Sequence, residues 1–175
     1  MKNKKRDQIK KLKKEILLNK VKAKPGVFEL VLILDHLKSG FNIAKIFRTA
    51  EIFSIKKIYI VGTRDFNPYP AKGAIRRVPF NFVESVDEAI GDLLEDGYLL
   101  FNFESSGELE LSRTKFPSKT AFILGNEEIG SSVPIAFREK VRDLKIKQFG
   151  VSQSLNVSVA ASIACYEYAC QLDGD

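Results

Sequence analysis

The chain has 175 residues, 45% hydrophobic and 29% charged, with 28 Lys/Arg against 22 Asp/Glu for a net charge of +6. This is one domain's length with a globular composition, which excludes a disordered or collagen-like chain. No apolar run is long enough to cross a bilayer and the basic start lacks a signal peptide's apolar segment. The expectation is therefore a cytoplasmic protein with no membrane contact through a span.

The basic excess sits at one end. Residues 1–24 hold eleven basic and two acidic side chains, a net of +9, and leave −3 for the rest. Ile9, Leu12, Ile16 and Leu17 recur at helical spacing within this segment, and Pro25-Gly26 stops it. Residues 1–24 are thus expected to form a basic helical arm ahead of a single domain over 25–175. Three uses stay open for the arm: phosphate contacts to nucleic acid, a solvated appendage, or an anionic membrane surface.

Beyond Gly26, Val27–Leu34 reads as a buried strand followed by a polar turn over Asp35–Gly40. Asn42–Phe53 reads as a helix with Ile43, Ile46, Phe47, Ala50 and Phe53 inward, and Lys57–Val61 as a strand. Gly62–Pro79 is looser and carries Arg64, Lys72, Arg76 and Arg77. Ser85-Val86-Asp87-Glu88 is a capping box opening a helix to about Glu95, which Gly97 ends. Tyr98–Phe103 and Ala121–Leu124 are strands, Pro134–Lys140 a short helix, Asp143–Lys147 a short strand, and Leu155–Leu172 the closing helix. Strands alternating with helices predict an α/β fold, a mostly parallel sheet with helices on both faces. Ligands of such sheets bind beyond the strands' carboxyl ends, which directs attention to the loops after Leu34, Phe103, Leu124 and Lys147.

The closing helix is apolar nearly all round: Val157, Val159, Ala160, Ala161, Ile163, Ala164, Cys165, Tyr166 and Ala169. Such a helix must be covered on more than one side, and a second subunit is the expected cover. Cys165 and Cys170 point different ways on it, which disfavours a disulfide or a zinc clamp. His36 is the only histidine, so a His-rich metal site is excluded and a Ser-His-Asp triad would have to run through it.

Three segments carry candidate chemistry. Gly125-Asn126-Glu127-Glu128-Ile129-Gly130 has a phosphate loop's glycine spacing without its Lys-Ser/Thr, and its two carboxylates would repel a triphosphate. A neutral or cationic ligand suits it better, and a plain turn is the alternative. In Phe149-Gly150-Val151-Ser152-Gln153-Ser154-Leu155-Asn156, Ser154 suits the cap of the closing helix, but capping leaves Asn156 unexplained. Asn42 and Arg48 lie about 120° apart on one helix, bordering one loop without sharing a face.

Together these segments resemble the SpoU (TrmH-type) RNA ribose methyltransferases of the SPOUT class. Asn42–Phe53 is similar to that family's first motif, Ile123–Gly130 to its second, and Gln153–Ala161 to its third. The resemblance spans about residues 27–172 and leaves the basic arm outside. Ser54 and Lys147-Gln148 depart from the family pattern.

The resemblance implies a C-terminal trefoil knot over about 120–172, S-adenosylmethionine as cofactor without metal, and a homodimer through the closing helix. It implies methyl transfer to a ribose 2′-hydroxyl of tRNA or rRNA, tRNA slightly favoured. It assigns catalysis to Arg48, Asn42, Glu127, Ser154 and Asn156, and cofactor binding to Phe103, Leu124, Gly125, Ile146, Gln148, Ser154 and Leu155. Expected RNA contacts are Arg64, Lys72, Arg76 and Arg77 with Lys10, Lys13 and Lys14 of the arm. The competing reading is a non-catalytic RNA-binding or assembly protein that keeps the fold. A dinucleotide oxidoreductase lacks its Gly-x-Gly-x-x-Gly after the first strand.

Overall fold

The computed structural model describes residues 2–173; Met1 of the expected arm and the last two residues of the expected domain lie outside them. The elements run α1 (Lys2–Lys22), β1 (Phe28–Asp35), α2 (Gly40–Ile52), β2 (Ile55–Val61), β3 (Phe80–Val83), α3 (Val86–Glu95) and β4 (Leu99–Phe103). They continue with β5 (Leu109–Glu110), β6 (Thr120–Leu124), β7 (Val141–Lys145) and α4 (Val157–Leu172). The strands form one sheet in the order β3-β2-β1-β6-β4-β7-β5, and every pairing is parallel.

The strands' alternation builds the two faces. Leu30, Leu32 and Leu34 of β1 share one face with Phe101 and Phe122, against α2 and α4. Val31 and Ile33 share the other with Leu100, Ala121 and Ile123, against Val86, Ala89, Ile90 and Leu93 of α3. Ser85 caps α3 as its motif predicts, its hydroxyl accepting from the Glu88 amide at 3.4 Å. Glu88 returns a bond to the amide of Glu84, one residue earlier than a capping box requires.

Four expectations change. β3 and β5 are additional strands: β5 is two residues of edge strand beside β7, and β3 is a four-residue edge beside β2. The Pro134–Lys140 helix is a run of 3-10 geometry over Ile135–Lys140 that buries none of its residues. α4 begins at Val157, because Asn156 and not Ser154 is its cap: Asn156 Oδ1 accepts from the Ser158 amide at 3.0 Å and the Ser158 hydroxyl at 2.6 Å. Asp35, expected in a polar turn, is the fully buried last residue of β1.

α4 divides into two faces. Val157, Ala161, Ala164, Cys165 and Tyr168 are buried within the chain, while Val159, Ile163 and Tyr166 are exposed. Tyr168 packs edge-on against Phe122 and Phe28, and its hydroxyl donates to the Ser118 carbonyl. Thr49 Oγ1 and Ser162 Oγ, 2.8 Å apart, join α2 to α4.

The arm is docked. Leu12 enters the core at 3% exposure, and Glu15, equally buried, holds Arg76 through two bonds of 2.7 and 3.0 Å. Asn19 Nδ2 donates to the carbonyls of Ile75 and Val78 at 2.6 and 2.7 Å. A freely solvated appendage is thereby corrected, because the buried Glu15 carboxylate is stable only with its guanidinium partner. Lys10, Lys13 and Lys14 lie on the helix's exposed face.

Candidate functional site

The carboxyl ends of β4, β6 and β7 open on one cleft of about 720 Å³. Its walls come from Phe103–Ser105, Leu124–Gly130, Leu144–Ile146, and Gln153–Val157 with Gln148 and Ala160. An extension of about 490 Å³ shares Ser105, Lys145, Ile146, Gln148 and Gln153 and adds Ser106, Glu110 and Lys147. Ligand clefts of parallel α/β sheets lie outside the strands' carboxyl ends, where the connections to either side diverge. All seven expected cofactor residues, Phe103, Leu124, Gly125, Ile146, Gln148, Ser154 and Leu155, line this cleft.

The Gly125–Ser132 loop is fastened at several points. Asn126 and Gly130 exchange backbone hydrogen bonds at 2.9 Å, and Asn126 Nδ2 donates to the His36 carbonyl at 2.7 Å. Ser132 donates through its amide and through its hydroxyl (2.9 Å) to the carboxylate of Asp35. His36 Nδ1 lies 2.7 Å from Asp35 Oδ1, and its ring stands over Gly62, where a Cβ would lie 2.2 Å from Cδ2. Ser132 thus meets the aspartate and not the imidazole, so these three residues form no catalytic triad. Gly125 is required by close approach: a Cβ there would fall 2.4 Å from the Ser131 nitrogen.

The expected polar residues fall into three groups. Asn42, Glu127 and Asn156 form one chain of bonds: Asn42 Nδ2 donates to Glu127 Oε1 at 2.8 Å, and Asn156 Nδ2 to Asn42 Oδ1 at 3.3 Å. The amides of Lys38 and Ser39 also donate to Glu127, at 2.8 and 3.4 Å. Partial burial raises the Glu127 carboxyl, but the Asn42 bond and the surrounding backbone amides outweigh it, so its pKa lies below the ordinary value. Ser154 is exposed on the cleft wall with no side-chain bond among the described residues. Arg48 is exposed on α2 and is not among the residues lining the cleft. It shares the outer face of α2 with Phe41, Lys45 and Ile52.

The acidic loop corrects a sequence expectation. Glu127 is turned to the start of α2 and Glu128 pairs with Lys38 Nζ, so neither charge is left over for a ligand. Among the expected RNA contacts, Arg64 pairs with Glu84, Arg76 with Glu15, and Arg77 with Glu51 at 2.7 Å. Arg76 is bound up in docking the arm. Lys72, Lys10, Lys13 and Lys14 are exposed. The anchors Asp35 and Ser132, and Glu104 at the end of β4, were not singled out by sequence; burial at a strand end carries no composition signal.

The sheet is parallel α/β, with a cleft across the carboxyl ends of its strands and an Asn-Glu-Asn chain of hydrogen bonds beside it. Residues 29–166 match the model of the SpoU rRNA Methylase family, and the chain belongs to that family. It is 29% identical over 144 residues to the 23S rRNA (guanosine-2'-O-)-methyltransferase RlmB of Neisseria meningitidis, covering 79% of this chain and 57% of that protein. The chain therefore spans little more than half of that relative's length. A solved structure concerned with 2-OH methylation of C/U34 on tRNA shares 26% identity and a TM-score of 0.70, covering 83% of this chain and 97% of that one. AviRb of Streptomyces viridochromogenes, a SpoU methyltransferase solved with AdoMet, shares the fold at a TM-score of 0.75 and 23% identity, covering 85% of this chain and 59% of that one.

Proposed function

We propose that the protein transfers a methyl group from S-adenosylmethionine to a ribose 2′-hydroxyl of RNA, with tRNA favoured over rRNA as substrate. The observation that carries this reading is the Asn42–Glu127–Asn156 chain, which ties the three motif segments together beside the cleft. A cleft of about 720 Å³ falls within the range of roughly 300–1,000 Å³ typical of small-molecule sites. Its lining suits the cofactor. Leu124, Leu144, Ile146, Leu155 and Val157 offer apolar surface to a base. Glu104, which has no cationic partner among the described residues, opposes a triphosphate. The near-complete coverage of the tRNA-methylation structure supports the choice of tRNA.

When bound, S-adenosylmethionine supplies an activated methyl group and a neutral thioether leaving group. The chain's own residues position and stabilise. Glu127 fixes the start of α2 through Lys38, Ser39 and Asn42, and Asn156, on the cleft wall with Ser154, orders the loop and the ribose. Arg48 stands outside the cleft wall of its own chain, so its role of stabilising negative charge on the ribose oxygen requires bound RNA or a second subunit to bring the two together. Its guanidinium stays protonated, so the hydroxyl proton passes to phosphate or water. Lys10, Lys13, Lys14 and Lys72 contact RNA phosphates; Arg64 and Arg77 join them only by releasing their glutamates.

The same reading includes a homodimer covering Val159, Ile163 and Tyr166 of α4, a C-terminal knot, and a reducing cytoplasmic setting. The free Cys165 and Cys170 fit the setting. No described helix is long and apolar enough to cross a membrane, and no described His/Cys/Asp/Glu group is arranged to hold a metal.

The test is nucleoside mass spectrometry of tRNA and rRNA incubated with the protein and deuteromethyl-labelled S-adenosylmethionine. Labelled 2′-O-methylnucleoside in tRNA is the expected result. Cofactor and RNA binding without label would support the non-catalytic reading instead.

A further inference from the structure

Three carboxylates border the main cleft, and two of them are already committed. Glu127 accepts from Asn42, Lys38 and Ser39, and Glu128 pairs with Lys38. Glu110, on the extension, lies 3.3 Å from Arg113 and 3.8 Å from Lys147. Glu104 is the exception. It follows β4, lines the cleft, and forms no ion pair with any described lysine or arginine.

Its carboxylate is nevertheless seated. Oε1 receives three long contacts, from Asn102 Nδ2 at 3.4 Å, Ser131 Oγ at 3.4 Å and the Ser131 amide at 3.5 Å. Gly130, at φ 76°, leaves room for it, since a Cβ there would lie 3.2 Å from Oε1. The fully buried Asn102 is itself held by Asp143 at 2.8 Å. Oε2 accepts no hydrogen bond from any described residue. A carboxylate held in place by weak neutral donors is set to gain most from a charged donor or cation, because charge-assisted contacts are about twice as strong as neutral ones.

We propose that Glu104 is a specificity residue of the cleft, recognising positive charge on the adenosyl ligand at its α-ammonium or its sulfonium. This rests on the reading above that the cleft takes S-adenosylmethionine. It reassigns the acidic character expected of the Gly125 loop to the strand end facing that loop.

The test is calorimetric titration of the full chain and of Glu104→Gln with three probes. These are S-adenosylmethionine, S-adenosylhomocysteine, which keeps the ammonium and lacks the sulfonium, and 5′-methylthioadenosine, which lacks both. Glu104→Gln should weaken S-adenosylmethionine by about 10-fold or more, the scale of one charge-assisted contact, and leave 5′-methylthioadenosine within about 2-fold. An equal loss with S-adenosylhomocysteine assigns the contact to the ammonium, and a loss confined to S-adenosylmethionine assigns it to the sulfonium. Glu104→Asp, which keeps the charge, should recover part of the affinity; this and an unchanged 5′-methylthioadenosine affinity exclude misfolding as the cause. Unchanged S-adenosylmethionine binding in Glu104→Gln, or an equal loss with 5′-methylthioadenosine, would overturn the proposal while leaving the cofactor reading standing. Failure of the unaltered chain to bind any of the three would overturn both.

Discussion

The two loops that contribute to the cleft wall are built on opposite principles. The Gly125–Ser132 loop is tied by its Asn126–Gly130 bridge, by Asn126 to the His36 carbonyl, and by Ser132 to the buried Asp35. The segment 148–155 is exposed throughout and has no side-chain hydrogen bond among the described residues; Phe149 and Val151 stand 91% and 105% exposed. Both loops carry family motifs, yet one is fixed before any ligand arrives. The difference separates preorganisation, already present on the Gly125 side, from ordering that a ligand must supply on the other.

The largest expected effect lies on neither loop. Arg48→Ala should lower methyl transfer by about 100- to 1,000-fold while leaving folding and S-adenosylmethionine affinity unchanged. The charge it stabilises exists only in the transition state. Single-turnover rates with calorimetry check this; weakened cofactor binding would place Arg48 in the ground-state site and blur the division between fixed and free parts.

Next comes the anchor of the fixed loop. Asp35→Ala should cost about 3 kcal/mol of stability in urea unfolding, because it removes a buried acceptor shared by Ser132 and His36. Phe149→Ser, on the free segment, should change the same measurement by less than about 0.5 kcal/mol. Similar costs at the two positions would erase the contrast.

Glu127 gives the pH dependence. Its depressed pKa means that its bonds stabilise the fold above the ordinary carboxyl value of 4.5 and are lost as pH falls through the folded value. The amides of Lys38 and Ser39 should therefore titrate together below pH 4.5 in NMR spectra, and the transition should vanish in Glu127→Gln. A transition persisting in that variant would assign it to another carboxylate.

The smallest and most local prediction concerns assembly. Ile163→Asp alters the outer face of α4 and should yield folded monomers by sedimentation. Ala161→Asp should fail to fold, since Ala161 is fully buried within the chain. A folded Ile163→Asp dimer would move the interface elsewhere.

Much of this was legible in sequence where the signal is local. Ser85 and Glu88 marked α3, and the run Val27–Leu34 marked β1, although Val27 is exposed outside it and burial is complete only from Leu30. Asn42, Glu127 and Asn156 were recognisable through their motifs. What escaped depends on partners far along the chain. Glu15 looked like a stray acid in a lysine run until folding brought Arg76 to it across 61 residues. Asp35 looked like a turn residue because its partner Ser132 is 97 residues away. β3 and β5 are short edge strands with at most one buried residue each, so they lack the apolar run that announces β1 and β6. The acidic loop was misread for the same reason: spacing identified Glu127 and Glu128 but not the direction in which the Lys38 and Asn42 contacts turn them.

Backbone hydrogen exchange of the two loops, with and without saturating S-adenosylmethionine, tests the account's core most directly. The amides of 125–132 should be protected without ligand and change little on its addition. Those of 148–155 should exchange rapidly alone and slow by at least about 10-fold with ligand, as an ordering rim must. No slowing in 148–155 at saturation, or a response confined to 125–132, would contradict the account.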